Sequence, residues 1–165
     1  MRQLFILFSL CFSLSLTAQE KITLLFVGDL MQHQAQIEAA RVGTSYDYSS
    51  CFKHVKDEIS AADLAVANLE VTLGGKPYSG YPAFSAPDEY LYAVKEAGFD
   101  VLLTANNHCL DRRKKGLERT ILMLDSLHIP HAGTYVNKGK RDEGCLLYTS
   151  PSTRDVAESR MPSSA

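Results

Sequence analysis

Net charge is nearly absent from this 165-residue chain: 17 Lys and Arg stand against 19 Asp and Glu, a formal −2 at pH 7. That balance argues against a nucleic-acid partner and against polybasic attachment to an anionic membrane. The apolar run from Leu4 to Leu16 falls short of the roughly 20 residues that a membrane-spanning helix needs. Cysteine is scarce, with 4 in all. Setting aside Cys11 and Cys145 in the terminal segments leaves Cys51 and Cys109, for which a disulfide and free buried thiols both stay open. There is no Gly-x-Ser-x-Gly elbow and no GxxxxGKS/T loop, so nothing points to an elbow-borne serine nucleophile or a P-loop nucleotide site. No internal repeat is visible, and the length fits one domain.

What is present begins at the ends. Arg2, the apolar run and Thr17-Ala18-Gln19 read as a secretory signal, residues 1–18, cleaved between Ala18 and Gln19. The mature chain is then expected to be exported: periplasmic, secreted or associated with the cell envelope. An uncleaved anchor is the alternative. Cys11 follows Leu10 in mid-run, which argues against a lipid anchor. Residues 145–165 read CLLYTSPSTRDVAESRMPSSA. CLLYTS is what TGT CTC TTA TAC ACA TCT encodes, and SRMPSSA is what TCT CGT ATG CCG TCT TCT GCT encodes. Both strings look like parts of a transposase-type sequencing adapter, with an index read between them. The expectation is a non-native tail after a partial domain, residues 20–144, whose gene continued; a natural Ser/Pro-rich tail is the alternative.

Between the ends, residues 21–27 (KITLLFV) form a short apolar run before Gly28-Asp29, which predicts a buried strand closed by a turn. Phe52, Val55 and Ile59 recur at helical spacing behind Ser49 and Ser50, either of which can cap. Residues 64–67 predict a second strand running into Asn68-Leu69-Glu70. Gly74, Gly75, Pro77, Gly80 and Pro82 then mark a loop. A helix is expected to open near Ser85, with Pro87 in its first turn and Asp88 three residues after the serine. Leu91 and Val94 should face inward, and Gly98 suits the C-terminal cap. Residues 100–105 predict a third strand. Leu117, Ile121, Leu124 and Leu127 line one helical face, and residues 129–132 suggest a fourth strand. The order β-α-β-α-β-α-β implies an α/β fold with a parallel sheet and helices on its faces.

Polar clusters follow the first three strands: Gly28-Asp29, Asn68-Leu69-Glu70, and Asn106-Asn107-His108 with Asp111 close behind. A single Asp or Asn after a strand is usually a turn or cap residue. The carboxyl ends of parallel strands share one crevice, however, so three such clusters should converge. Asp29, Glu70 and the Asn107 carbonyl are hard oxygen donors, and His108 adds an imidazole. That mixture suits Mn, Mg, Fe or Zn. A two-metal hydrolase draws such ligands from several strand ends. Arg112 to Lys115 form a basic run at a helix start, read as a solvated face or as a site for an anion.

FVGDLM at 26–31, YDYSSCF at 46–52, ADLAVANLE at 62–70, GFDVLLTANNHCLD at 98–111 and GLERTILMLDSLHIPHAG at 116–133 carry a resemblance. Together they resemble the capsule synthesis protein CapA family, which is linked to poly-γ-glutamate capsule production and related in fold to calcineurin-like metallophosphatases. The resemblance spans residues 21–137. It implies the N-terminal portion of a metallophosphatase-like sandwich with a mostly parallel sheet, and divalent metal ions, two in the intact protein. It implies an anionic polymer or phosphoester substrate and contact with the capsule synthesis or export machinery. Asp29, Glu70 and Asn107 would be metal ligands, with Asn68 and Asn106 supporting them and His108 stabilising charge on phosphate oxygens. Asp111 would orient His108, or else cap the following helix. Met31 stands where the phosphatases carry His, and His33 is expected to be a solvent-facing helix-start residue. Histidine ligands from later strands would lie beyond His128 and His131. Where the family often has Gly, this chain has Arg113, so the backbone there is expected to differ or the residue to be a sequence error. The alternative function is a non-catalytic polymer-binding or export-scaffold protein on the same fold. Nothing marks the pocket of a solute-binding protein.

Overall fold

A computed structural model of the chain describes residues 21–142. The signal-peptide and adapter-tail readings lie outside these residues. Four parallel strands make the main sheet: β1 (Leu24–Leu30), β4 (Leu64–Leu69), β5 (Val101–Leu103) and β6 (His131–Ala132). Their order across the sheet, β1-β4-β5-β6, follows the chain. The crossovers contain α2 (Lys56–Ser60), α3 (Asp88–Glu96) and α4 (Arg113–Ser126). A right-handed crossover repeated in one direction puts every helix on the same face of the sheet. The core agrees: Ala65, Ala67 and Leu69 of β4 and Leu102 of β5 share one cluster with Leu91 and Val94 of α3 and Leu124 of α4. Among the described residues, no helix is long and apolar enough to cross a membrane.

Three details depart from the sequence reading. First, β1 is an edge strand rather than a buried one, with Leu24, Phe26 and Val27 exposed. It also runs through Gly28-Asp29 instead of turning there. Second, α2 starts at Lys56 with Val55 at its N-cap and no side-chain cap, so Ser49 and Ser50 do not cap it. Third, Ser85 does not open α3. The Ser85 hydroxyl donates to the Gly75 carbonyl (2.7 Å), and the helix begins after Pro87. Gly98 does follow the α3 C-cap, in the left-handed region with φ +100°.

Between β1 and β4 lie elements that apolar periodicity does not announce: α1 (Gln34–Ala39) and the hairpin β2 (Arg41–Val42) with β3 (Ser45–Tyr46). A terminal helix, α5, spans Lys138–Asp142. Cys51 and Cys109 are free thiols; Cys51 is exposed and Cys109 half-buried. Arg119 locks the loop after β4 to both long helices. Its guanidinium donates to the Leu73 carbonyl (2.6 Å) and makes a two-pronged pair with Asp88 (2.8 and 2.7 Å).

Candidate functional site

The site begins with one extra residue in β1. Phe26 pairs with Val66 and Asp29 with Asn68, so three steps on β1 match two on β4. A β-bulge of this kind reverses the alternation of side chains beyond it. Without the bulge, Asp29 would share a face with Leu25 and point into the helical core. With it, Asp29 joins Asn68 on the opposite face, while Leu30 pairs with Leu69 and returns to the core.

Asn68 Nδ2 then bridges two carboxylates. It donates to Asp29 Oδ1 (2.8 Å) and to Glu70 Oε2 (2.9 Å). Burial and the adjacent Asp29 carboxylate hold the Glu70 carboxyl above its ordinary pKa, against the pull of His108 and the Asn68 amide.

Asn106 ties the end of β5 to the end of β4. Its Nδ2 donates to Asn68 Oδ1 (3.1 Å) and to the Leu69 carbonyl (2.9 Å), and its Oδ1 accepts from the His108 backbone N–H (3.0 Å). His108 Nδ1 lies 2.8 Å from Asp111 Oδ2, and the same oxygen accepts the Phe84 backbone N–H at 2.7 Å. Arg112, not Asp111, occupies the N-cap of α4. Asp111 thus contacts His108 Nδ1 rather than capping α4.

One continuous network thus joins Asp29, Asn68, Glu70, Asn106, His108 and Asp111. Asn107 is exposed and makes no hydrogen bond within it. His33 is exposed at the start of α1, as expected of a helix-start residue. His131 sits in β6, half-buried, away from these bonds. Arg113 has φ +56°, the left-handed region that glycine enters without strain.

The sequence reading missed Phe84 as the neighbour of His108, and His33 and Tyr81 as the neighbours of Phe84. Phe84 is fully buried and packs edge-on against the His108 ring, with centroids 4.6 Å apart. The available signal was an aromatic pair within a Gly/Pro-marked loop.

Asp29 and Glu70 fit one edge of a divalent-cation site: two hard oxygen donors whose mutual repulsion a cation would relieve. They do not complete a site. Among the described residues, no group of three or more His, Cys, Asp or Glu side chains is placed to hold an ion.

The family model described as bacterial capsule synthesis protein PGA_cap matches residues 23–156. The capsule biosynthesis protein CapA of Bacillus anthracis is 34% identical over 126 residues, covering 72% of this chain and 29% of that protein. The uncharacterized protein y4uA of Sinorhizobium fredii is 29% identical over 136 residues, covering 77% of this chain and 28% of its own length. A second protein of that organism, uncharacterized y4sH, is 31% identical over 107 residues, covering 59% of this chain and 23% of its own. The chain therefore spans less than a third of the length of the curated relatives it matches.

Proposed function

We infer, from the premise that this chain belongs to the bacterial capsule synthesis protein PGA_cap family, that its polar cluster is one half of a metal-dependent phosphoesterase site serving capsule assembly. The fold is α/β with the parallel sheet of the metallophosphatase-like class. One observation carries the reading: a bulge turns Asp29 onto the face of Asn68, beside Glu70, and the same network reaches an oriented histidine.

Asp29 and Glu70 would hold a divalent cation, with Asn107 joining once its exposed amide turns inward. When bound, such a cation polarises phosphoryl oxygens and lowers the pKa of a coordinated water. The remaining work falls to the chain's own residues. With Nδ1–H donated to Asp111, the His108 ring would leave Nε2 free for a ligand. A proton on Nε2 would be donated to a phosphoryl oxygen or to the leaving oxygen. Asn106 and Asn68 fix the distance between the two strand ends, so the carboxylates need no reorganisation on binding. The further ligands of a complete shell would come from parts of the protein outside this chain.

Export to the cell envelope, an anionic polymer or phosphoester as substrate, and contact with capsule synthesis or export machinery belong to the same proposal. A second reading rests on the incomplete donor set: a polymer-binding or export scaffold that keeps the fold without turnover. Elemental analysis and phosphodiester hydrolysis by a full-length family member separate the two. Stoichiometric metal with turnover supports the phosphoesterase, whereas polymer binding without metal supports the scaffold.

A further inference from the structure

The loop between β4 and α3 is built to hold an aromatic surface beside His108. Ser79 and Ser85 exchange backbone hydrogen bonds (3.1 and 2.9 Å), which closes residues 80–84 into a tight projection. The base of the projection is anchored twice. The Phe84 N–H is bound by Asp111, and its carbonyl accepts the Thr72 hydroxyl. The tip is anchored at Gly80, whose N–H donates to the Gln34 side chain (3.3 Å). Any side chain at position 80 would collide with the backbone of His33 and Gln34. Glycine is therefore what lets the loop lie against the start of α1.

This clamping brings His33 and Tyr81 together over Phe84. The His33 and Tyr81 rings are near-parallel, tilted by 30°, with centroids 6.5 Å apart. Phe84 meets His33 at 5.3 Å and Tyr81 at 6.4 Å, both edge to face, and also meets His108 at 4.6 Å. Yet Tyr81 is 70% exposed and His33 is exposed too. A large aromatic ring held by a pinned loop while left open to solvent buries little for the ordering it requires.

We propose that His33 and Tyr81 form a stacking shelf for a flat-faced ring, sugar or aryl, carried by a phosphoester whose phosphoryl group lies at His108. This rests on the phosphoesterase reading and deepens it by naming the substrate class. Aromatic faces bind sugar C–H faces and planar rings alike. Tyr81 would be a specificity residue; the clamp at Gly80 is what positions it.

The test is chemical footprinting of the full chain with mass-spectrometric peptide mapping. Nitration reports Tyr81, diethylpyrocarbonate reports His33 and His108, and exposed Tyr92 serves as an internal reference. The probes, used without added metal because the described residues do not complete a cation site, are phenyl phosphate, glucose 1-phosphate and ring-less glycerol phosphate. The ring-bearing esters should slow modification of Tyr81 and His33 by about fivefold or more, while glycerol phosphate protects His108 alone. The first two probes separate an aryl from a sugar source. Tyr81→Ala, at an exposed tip, should reduce His33 protection to the ring-less level and leave protection of His108 by glycerol phosphate unchanged. Protection of His108 without Tyr81 overturns the shelf and keeps the phosphoester reading. Protection of Tyr81 without His108 keeps the ring contact and overturns the phosphoester reading. Equal protection of Tyr81 by glycerol phosphate overturns the shelf.

Discussion

The two faces of the main sheet are made by the same strands from similar apolar residues, yet they differ sharply. On the helical face, Ala65, Ala67, Leu69 and Leu102 are all 2% exposed or less. On the other, the row Phe26-Val66-Val101 has a buried middle and end but an edge phenylalanine 71% exposed, and Leu24 and Leu103 are exposed at 53% and 43%. Apolar alternation is equal on both faces, so what covers a face, not what composes it, decides its contribution to stability. The polar network grows at the carboxyl end of the less covered face, where Asn68 points and where the bulge sends Asp29.

The largest expected effect comes from breaking the covered face. Leu102→Ala should lower unfolding stability by about 2–5 kcal/mol, whereas Phe26→Ser should change it by no more than about 0.5 kcal/mol. Urea unfolding of both variants checks this. Equal losses would show that the Phe26 face is covered as tightly as the helical one.

Parallel order and the positions of the four main strands were legible because apolar runs separated by Gly, Pro and Asn punctuation are a tertiary signal written locally. The convergence of the three strand-end clusters was legible for the same reason, that strand ends share an edge. But Asn107, expected as a ligand, is exposed outside the network, and Asn106 makes its bonds instead. The bulge was not, since an extra residue shows only against its partner strand, and Gly28 reads equally as a turn. Nor was α1, which buries only Ile37. The cap expected of Ser85 failed because the loop uses that hydroxyl first.

Next in size is Asp111→Ala. It removes the acceptor of both the Phe84 N–H and His108 Nδ1. An orphaned buried N–H costs about 1–3 kcal/mol, so thermal unfolding should show a loss of that order. Asp111→Asn, which keeps an acceptor oxygen, should recover much of it. A loss below about 0.5 kcal/mol for the alanine variant would leave Asp111 without the clamping role.

Arg113→Gly should stabilise the chain by about 0.5–1 kcal/mol, by removing a side chain from left-handed backbone and a cation from a helix start. A destabilised variant would show that the Arg113 side chain makes a compensating contact.

The smallest effect concerns Glu70. Its raised pKa means that the folded state binds this proton more tightly than the unfolded one. The resulting stabilisation is full below the unfolded-state pKa and is lost as pH rises through the folded value. Glu70→Gln mimics the protonated form. At pH 7 it should gain a few tenths of a kcal/mol, solvent screening keeping the figure small, and it should flatten this part of the pH profile. A variant less stable than the parent at pH 7 would argue against carboxylate repulsion at the site.

The central claim is that Asp29 and Glu70 form the cation-holding edge of a site completed by residues outside this chain. Bound metal, measured by elemental analysis alongside phosphodiester hydrolysis, tests it most directly in three proteins: a full-length family member, the same protein with Ala at the position of Asp29, and residues 20–144 alone. The account predicts near-stoichiometric metal and turnover in the first, and neither in the second or third, because losing one carboxylate or the rest of the shell leaves too few donors. Metal and turnover that survive the alanine variant would contradict it, as would tightly held metal and activity in residues 20–144.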